Sequence, residues 1–326
     1  MTLKDYIIKR IILVIPTIIA LSLITFTIMH LAPGGPLDYY LAENPLLGRD
    51  PLRLATLEER MGLNKPIYEQ YIIWVKNIAS GNLGWSFHSG EDVTKLILDK
   101  LNNTAILMAL SLIISLIIAI PVGVTSAVKQ YSRLDNFMMV FSLFGTSMPG
   151  FWFALVLIFT FVLGLGWFHT SGTQTLGVIQ PTWFHMILDR ASYLTLPVAT
   201  LSLSRLAEMT RLTRSSMLDV LKQDYIITAR AKGVRELVVI YKHALRNALL
   251  PVVTVIGLNI GFLFAGSATV ETIFAWPGLG KFMVDNIYKR DYPTIMGSTM
   301  LIAMTVIIAN LVTDIVYAYL DPRIRY

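Results

Sequence analysis

The chain has 326 residues, of which 55% are hydrophobic and 15% are charged, and its formal net charge is +6. This composition is too apolar for an ordinary soluble domain of the same size, because the apolar residues occur in long blocks. The absence of cysteine excludes disulfides and thiolate metal sites, and the five histidines form no His-x-x-x-His pair, so we expect no metal site.

The apolar blocks predict an all-α fold, a single polytopic bundle of six transmembrane helices formed by residues 1–326. A helix needs about 20 apolar residues to cross about 30 Å of hydrocarbon. The first block is long for a signal peptide and no A-x-A pattern follows it, so we interpret it as an uncleaved span. The third block is interrupted at Pro149-Gly150, and the more polar fourth contains Pro197. The predicted spans are 11–31, 104–128, 137–166, 188–209, 247–270 and 295–318.

The Lys and Arg residues predict the orientation of these spans. With the N-terminus inside, the inner segments hold 15 Lys and Arg residues and the short outer loops hold four. Splitting 137–166 into two spans is the alternative, but it would place the eight basic residues of 210–246 outside, against the positive-inside rule. We therefore predict a multi-pass membrane protein, surrounded by lipid, whose N- and C-termini are both cytoplasmic.

The long external segment 34–100 predicts a small folded cap. Apolar residues recur within it at helical spacing, between the turn-forming sequences "PGGP" and "SGNLG". Two roles are open for the cap, a lid that packs on the helical bundle or a docking surface. The apolar stripe consists of Ile67, Tyr71, Trp74, Val75 and Ile78.

A few ionisable or amide side chains fall inside or near the predicted spans. An ionisable group in a membrane is a candidate functional residue, but each of these lies near an interface where it can pair or reach water. Arg205 and Glu208 are three residues apart on one helix face, and we predict that they pair with each other. The set contains no row of carboxylates typical of a proton relay. Its other members are His30, Glu271 and Asp314, with Asn259 and Asn310 expected to join helices.

The sequence offers no catalytic site of its own. Its nearest approach to a phosphate-binding loop is "AWPGLGK", in which Ala275 replaces the first glycine and Phe282 replaces the Ser or Thr that would bind magnesium. It also contains no nucleophile elbow and no paired catalytic carboxylates. We therefore expect neither enzymatic activity, catalytic residues nor a bound cofactor in this chain.

A basic segment, 223–251, lies between the predicted fourth and fifth spans and is cytoplasmic in the predicted topology. Its helical composition is interrupted by Gly233, which we interpret as a helix end in the left-handed conformation. Positive-inside bias explains the charge and an interfacial helix would explain the amphipathicity, but neither explains the central glycine. Its net charge of +3 is too small for a nucleic-acid patch. The predicted apolar faces are Tyr225, Ile226 and Ala229 before the glycine, and Leu237, Val238 and Tyr241 after it.

The sequence "ITARAKG" within this segment is similar to the EAA loop of ABC importer permeases, whose pattern is Glu-Ala-Ala, three residues and a glycine. Only the second alanine and the glycine match literally. The later Ile-x-Leu-Pro of the general pattern is replaced at 243–246, and a proline follows only at Pro251. When the EAA pattern is aligned with its glycine at Gly233, the predicted coupling-loop residues are Ile227, Thr228, Ala229, Arg230, Ala231, Lys232 and Gly233.

The chain resembles more closely one branch of these permeases, the peptide-type branch for dipeptides, oligopeptides and nickel. "TARAKG" followed by "HALRNALLP" is typical of that branch. The resemblance covers the whole chain through "RIILVIPT", "HLAPGGP", "GLNKPIYEQY", "GNLGWSF", "ETIFAWPGLG", "RDYPTIMG" and "DPRIRY". One departure is Gly35, where the branch commonly has an acidic residue. The termini and the cap resemble the first of the two permease subunits.

The resemblance implies a type I importer assembled from several proteins. A second permease subunit would form a heterodimer with this chain, two cytoplasmic ATPase subunits would bind ATP and magnesium, and an external binding protein would deliver peptides. In that family the loop, here 223–246, forms a coupling helix in a groove of an ATPase subunit. Two alternatives remain open: import of nickel or another small solute, and an ion-coupled secondary transporter or channel that needs no ATPase.

Overall fold

The computed structural model describes residues 3–32, 52, 55, 56, 58, 59, 63–175, 177 and 182–320. Apart from an isolated bridge between Trp85 and Asp92, no strand forms within these residues, and the predicted all-α fold is confirmed. The chain divides into two compact units, Met1–Asn102 with Leu279–Tyr326 and Asn103–Gly278. The sequences "PGGP" and "DPRIRY", and most of the cap between 34 and 62, lie outside the described residues.

Twelve helices follow one another through the described parts of the chain. The fifth ends in a π-helical turn, Ile158–Gly164, and the eighth contains another, Val239–Ala244. In chain order the helices are α1 (Leu3–Leu31), α2 (Ile67–Ala79), α3 (Val93–Val128), α4 (Arg133–Ser147), α5 (Gly150–Gly164), α6 (Trp183–Leu221), α7 (Asp224–Ala231), α8 (Glu236–Ala248), α9 (Leu250–Phe262), α10 (Ala268–Ile273), α11 (Leu279–Tyr288) and α12 (Tyr292–Leu320).

Three of the described helices are long and apolar enough to cross a membrane: α1, α3 and α12, which contain the predicted first, second and sixth spans. Two further pairs are apolar enough but bent, α4 with α5 by 104° and α8 with α9 by 43°. The predicted fourth span, 188–209, lies within α6, which is helical throughout but too polar to meet the same criterion. The count of six spans therefore stays a prediction.

The interruption expected at Pro149-Gly150 is a sharp bend. α4 ends at Ser147 because Met148 precedes a proline and takes an extended conformation, with φ −76° and ψ 125°. α5 then begins at Gly150 in a new direction. With 15 residues, α4 is about 22 Å long, which is shorter than the hydrocarbon core of a bilayer.

In the first unit, α1 packs along α12 and the cap helix α2 packs on the C-terminal half of α1. Arg10 Nη1 lies 2.9 Å from Asp314 Oδ2, so Asp314 is paired, as expected for a charge near a membrane interface. The hydroxyl groups of Tyr71 and Ser22 share a hydrogen bond of 2.8 Å. These contacts join the cap helix directly to a predicted membrane span.

The predicted apolar stripe of α2 is mostly correct. Tyr71, Trp74, Val75 and Ile78 are half-buried, and the Trp74 ring lies 5.7 Å from the ring of Phe26 on α1. Ile67 is 64% exposed, and its inclusion in the stripe was wrong because it occupies the first turn of the helix, next to Pro66. The described part of the cap thus packs as a lid does; its role as a docking surface stays a prediction.

In the second unit, α6 is the longest helix. Its 39 residues extend about 58 Å. Two glycines let neighbouring helices approach it closely, because a Cβ on Gly123 would lie 2.7 Å from Thr213 Cβ and one on Gly145 would lie 2.9 Å from Ala207 Cβ. The basic segment follows α6 directly and belongs to the same unit.

Candidate functional site

The bend predicted in the basic segment is present at Gly233. Its φ is +76°, in the left-handed region, and α7 ends there in a Schellman arrangement. The Val234 amide donates to the Ala229 carbonyl at 3.2 Å and the Gly233 amide donates to the Arg230 carbonyl at 3.0 Å. A Cβ on Gly233 would meet no atom within 4 Å. The backbone conformation, and not lack of space, therefore favours glycine at this position.

An ion pair crosses the bend. The Arg230 guanidinium donates two hydrogen bonds to the Glu236 carboxylate, from Nη2 to Oε1 at 2.6 Å and from Nε to Oε2 at 3.2 Å. The hydrogen bond to Glu236 raises the pKa of Arg230 above its ordinary value. Because both side chains are exposed, the pair adds little to global stability. Its bidentate geometry links α7 to α8 across the bend.

The inner face of the segment packs on two predicted membrane helices. Ile226 is fully buried, and Ala229 is half-buried against the same cluster, so the prediction for these two residues is confirmed. Tyr225, by contrast, is 42% exposed. The cluster around Ile226 contains Val124 and Ala127 of α3, Met217 of α6, and Val239, Ile240, Ala244 and Ala248 of α8. The segment is therefore anchored to α3 and α6 through a continuous apolar core.

The outer face of the segment carries exposed apolar side chains. Leu237, Val238 and Tyr241 were expected to form the apolar face after the glycine, and all three are exposed while their neighbours Val239 and Ile240 are buried. The π-helical turn of α8 begins at Val239, directly after the exposed Leu237 and Val238. Exposed apolar side chains outside the predicted membrane spans make the segment a candidate contact surface. We call this set the outer apolar surface: Tyr225, Ile227, Leu237, Val238 and Tyr241.

The seven residues predicted for the coupling loop lie together on α7 and at its end. Ala229 is half-buried, whereas the other six are exposed. The Thr228 hydroxyl donates to the Asp224 carbonyl of the preceding turn at 2.8 Å. The exposed basic residues Lys232, Arg235 and Lys242 border the outer apolar surface in sequence. The segment thus carries exposed apolar and exposed basic side chains on the two helices that meet at the bend.

A buried ion pair near this segment was missed by the sequence analysis. Arg214 of α6 donates to Asp135 of α4, from Nε to Oδ1 at 2.5 Å and from Nη2 to Oδ2 at 2.7 Å. Asp135 is 1% exposed and also accepts from the Tyr131 amide at 2.9 Å. Ser132 caps α4 by accepting from the Asp135 amide. The pair locks α4 to α6, because its carboxylate is satisfied from two sides.

The predicted pairing of Arg205 with Glu208 is present only as an electrostatic attraction, because the two side chains form no ion pair within 4.0 Å in the described part of the chain. Arg205 Nη1 donates to Ser111 Oγ of α3 at 3.0 Å. The main polar contact of Arg205 is therefore an interhelical hydrogen bond. Asn259 also departs from expectation, since its amide donates to the Val255 carbonyl of its own helix at 2.8 Å.

Glu271 lies in the short helix α10 and not at the end of the predicted fifth span, because α9 ends at Phe262. Its carboxylate is fully buried and accepts from Thr104 Oγ1 of α3 at 3.0 Å. Gly266 and Gly278 leave room for it, since a Cβ on either would come within 2.6 Å of a carboxylate oxygen. Glu271 therefore fixes the segment after α9 to α3.

His30 and Asn310 are the remaining polar residues that were predicted to lie in or near the membrane spans. His30 lies between the Phe26 carbonyl, 2.9 Å from Nδ1, and the Gln70 side chain, 3.3 Å from Nε2. Its ring thus links α1 to the cap helix α2. Asn310 Oδ1 is buried and has no hydrogen-bond partner within the described residues, so the expectation that it joins helices stays a prediction.

Comparison with known protein families accounts for this arrangement. Residues 119–326 match the binding-protein-dependent transport system inner membrane component, and residues 3–109 match the N-terminal region of the same component. The chain belongs to this family. The family predicted from "ITARAKG" and the other landmarks is thereby confirmed, and the protein is a multi-pass permease subunit of an inner membrane.

Full-length relatives support the same family. An oligopeptide transport system permease protein, AppB of Bacillus subtilis, is 46% identical over 98% of this chain and 99% of its own. A di/tripeptide transport system permease protein, DppB of Pseudomonas aeruginosa, is 41% identical over 99% of both chains. The dipeptide permease DppB of Escherichia coli K12 is 39% identical, again over 99% of both. The similarity therefore extends through the cap, the basic segment and the membrane helices.

Proposed function

We propose that this protein is the first permease subunit of an ATP-driven importer of dipeptides and oligopeptides. One observation carries the proposal: the segment around Gly233 is anchored to α3 and α6 by its buried residues and leaves the side chains of the outer apolar surface exposed. The names of the relatives, which are oligopeptide, dipeptide and di/tripeptide permeases, support the substrate class.

The outer apolar surface is the docking site for an ATPase subunit. A short amphipathic helix that places apolar side chains in a groove is a recurring mode of protein recognition. The exposed Lys232 and Arg235 provide a basic rim that adds charge complementarity. Two cytoplasmic ATPase subunits, which bind ATP and magnesium, serve this chain and its second permease partner. An external binding protein supplies the substrate, and both termini of this chain are cytoplasmic.

The segment around Gly233 couples the ATPase subunits to the membrane helices because it is packed firmly on α3 and α6. When ATP closes the ATPase pair, the docked segment moves, and α3 and α6 move with it because Ile226 shares one core with both helices. The ion pairs Arg230–Glu236 and Asp135–Arg214 keep the bend and the α4–α6 contact unchanged during that movement. Differential binding of ATP to the two arrangements shifts the permease between inward and outward openings. This chain transmits movement and performs no bond chemistry.

Reconstitution tests the proposal. The chain is placed in proteoliposomes with its second permease, the two ATPase subunits and the binding protein, and uptake of a radiolabelled tripeptide is measured with ATP and with a non-hydrolysable analogue. ATP-dependent peptide uptake that disappears without the ATPase subunits is the expected result. Uptake driven by an ion gradient alone would instead identify a secondary transporter. Uptake of Ni²⁺ without peptide uptake would identify the small-solute alternative.

A further inference from the structure

The first unit, which does not include the basic segment, contains a cleft of about 620 Å³. It is bounded by α2, by the chain from 82 to 90, and by the facing ends of α1 and α12. Its volume falls in the range of sites that hold small molecules. Five of its lining residues are aromatic: Phe26, Trp74, Trp85, Phe87 and Tyr292.

The cleft also offers hydrogen-bonding groups that the described part of the chain does not use. The side chain of Asn77 and the indole N–H groups of Trp74 and Trp85 have no hydrogen-bond partner there. Asn82 Oδ1 accepts from the Gly84 amide at 2.9 Å, which leaves its amino group available. Donors of this kind suit the carbonyl oxygens of peptide bonds.

The charge of the cleft restricts its ligand. No Asp, Glu, Lys or Arg side chain is among the described residues that line it. His30 is the basic side chain present, and both of its ring nitrogens already lie within hydrogen-bond distance of Phe26 and Gln70. The charged amino and carboxyl termini of a peptide would therefore find no charged partner among these described residues, and burying an unpaired charge is costly.

We propose that this cleft binds the interior of an oligopeptide, with its peptide carbonyls on the amide and indole donors and an apolar or aromatic side chain between the rings. Both charged termini then stay outside. The proposal rests on peptide import as the proposed function and narrows the substrate class, because a dipeptide has no uncharged interior residue. Such a site would favour peptides of three or more residues.

Isothermal titration of the full chain in lipid nanodiscs, without the binding protein, tests the cleft. The probes are the blocked tripeptide N-acetyl-Ala-Phe-Ala-amide and the zwitterionic dipeptide Ala-Phe. We expect saturable binding of the blocked tripeptide and at least tenfold weaker binding of the dipeptide. Trp85→Ala should weaken tripeptide binding about tenfold through loss of ring contact. Trp167→Ala is the control, because Trp167 does not line the cleft but is exposed to nearly the same extent as Trp85, 65% against 63%.

Several results would overturn the cleft proposal. They are absence of saturable binding, equal affinity for both probes, and equal weakening by the two tryptophan substitutions. Persistent quenching of tryptophan fluorescence by brominated lipid chains, not relieved by the tripeptide, would assign the cleft to lipid. A reconstituted importer that carries the tripeptide normally with Trp85→Ala would defeat this inference alone. A wild-type importer that carries no peptide would defeat the proposed function.

Discussion

Arg230 and Glu236 are joined by two hydrogen bonds across the left-handed bend at Gly233. The two residues are six positions apart, and they link α7 to α8 in addition to the apolar core that Ile226 shares with Val239 and Ile240. The ion pair is therefore a second brace across the bend. The proposed coupling uses both links, because movement imposed on the outer apolar surface would be carried through the core and the ion pair together.

Reversing this ion pair should preserve coupling, whereas changing one partner should not. Arg230→Glu or Glu236→Arg places like charges at the bend and should lower ATP-driven peptide uptake several-fold. The double exchange should restore most of it, because the opposite charges face each other again. Uptake into proteoliposomes at low and at high salt measures the effect. Equal uptake in all four proteins would show that the brace has no role in coupling.

Gly233→Ile should abolish ATP-driven uptake while leaving the amount of protein in the membrane unchanged. A β-branched residue at φ +76° costs about 2 kcal/mol and so favours a different bend. Gly233→Asn is the control, since asparagine tolerates the left-handed region. Membrane fractionation and uptake assays check both variants. Wild-type uptake and ATPase activity in Gly233→Ile would remove the bend from the mechanism.

Arg214→Met should destabilise the protein strongly, because it leaves the buried carboxylate of Asp135 without its main partner. We expect a loss of about 3 kcal/mol. The double variant Asp135→Leu with Arg214→Met should lose less, since it removes both charges. Arg211→Met on the same helix is the control, because Arg211 is exposed. Thermal unfolding in detergent gives the order of stability, and a double variant less stable than Arg214→Met would contradict this explanation.

Local features of the fold followed from the sequence. The end of α7 at Gly233 and the break before Gly150 each depend on the backbone preferences of one or two residues, and both are where they were expected. The prediction of the apolar stripe of α2 was largely correct for a similar reason, because the periodicity of a helix can be recognised within one short stretch of sequence. Such signals need no knowledge of the neighbouring elements.

Features that depend on distant partners did not follow from the sequence. Asp135 and Arg214 are 79 positions apart, and no periodicity links them. The burial of Val239 in place of Leu237 is decided by α3 and α6, against which α8 packs, since both sides of α8 carry apolar residues. The hydrogen-bond partner of Arg205, Ser111, likewise lies on another helix. In each case the local sequence allowed more than one buried residue or partner, and contacts with distant helices determined which one occurs.

Gly278→Ala should destabilise the second unit, although alanine has ordinary backbone preferences. The added Cβ would lie 2.5 Å from Glu271 Oε2 and 2.6 Å from Thr104 Oγ1, and this hydroxyl donates a buried hydrogen bond to the other carboxylate oxygen, Glu271 Oε1. Overpacking of this kind costs about 1–3 kcal/mol. Gly150→Ala is the control, because its Cβ would meet no atom within 4 Å. The midpoint of thermal unfolding compares them, and equal midpoints would show that the carboxylate can shift freely.

Ile226 and Ile227 are adjacent residues of the same type with opposite surroundings, and they separate stability from docking. Ile226 is fully buried in the core shared with α3 and α6, whereas Ile227 is 55% exposed on the outer apolar surface. Ile226→Ala should leave a cavity and lower the free energy of unfolding by about 2–5 kcal/mol. Ile227→Ala should leave stability unchanged but weaken the purified complex with the ATPase subunits about tenfold, as expected for an apolar anchor in a groove. Thermal unfolding of the permease and titration with the ATPase subunits measure the two effects. Loss of stability in Ile227→Ala, or unchanged ATPase binding, would place the docking surface elsewhere on the chain.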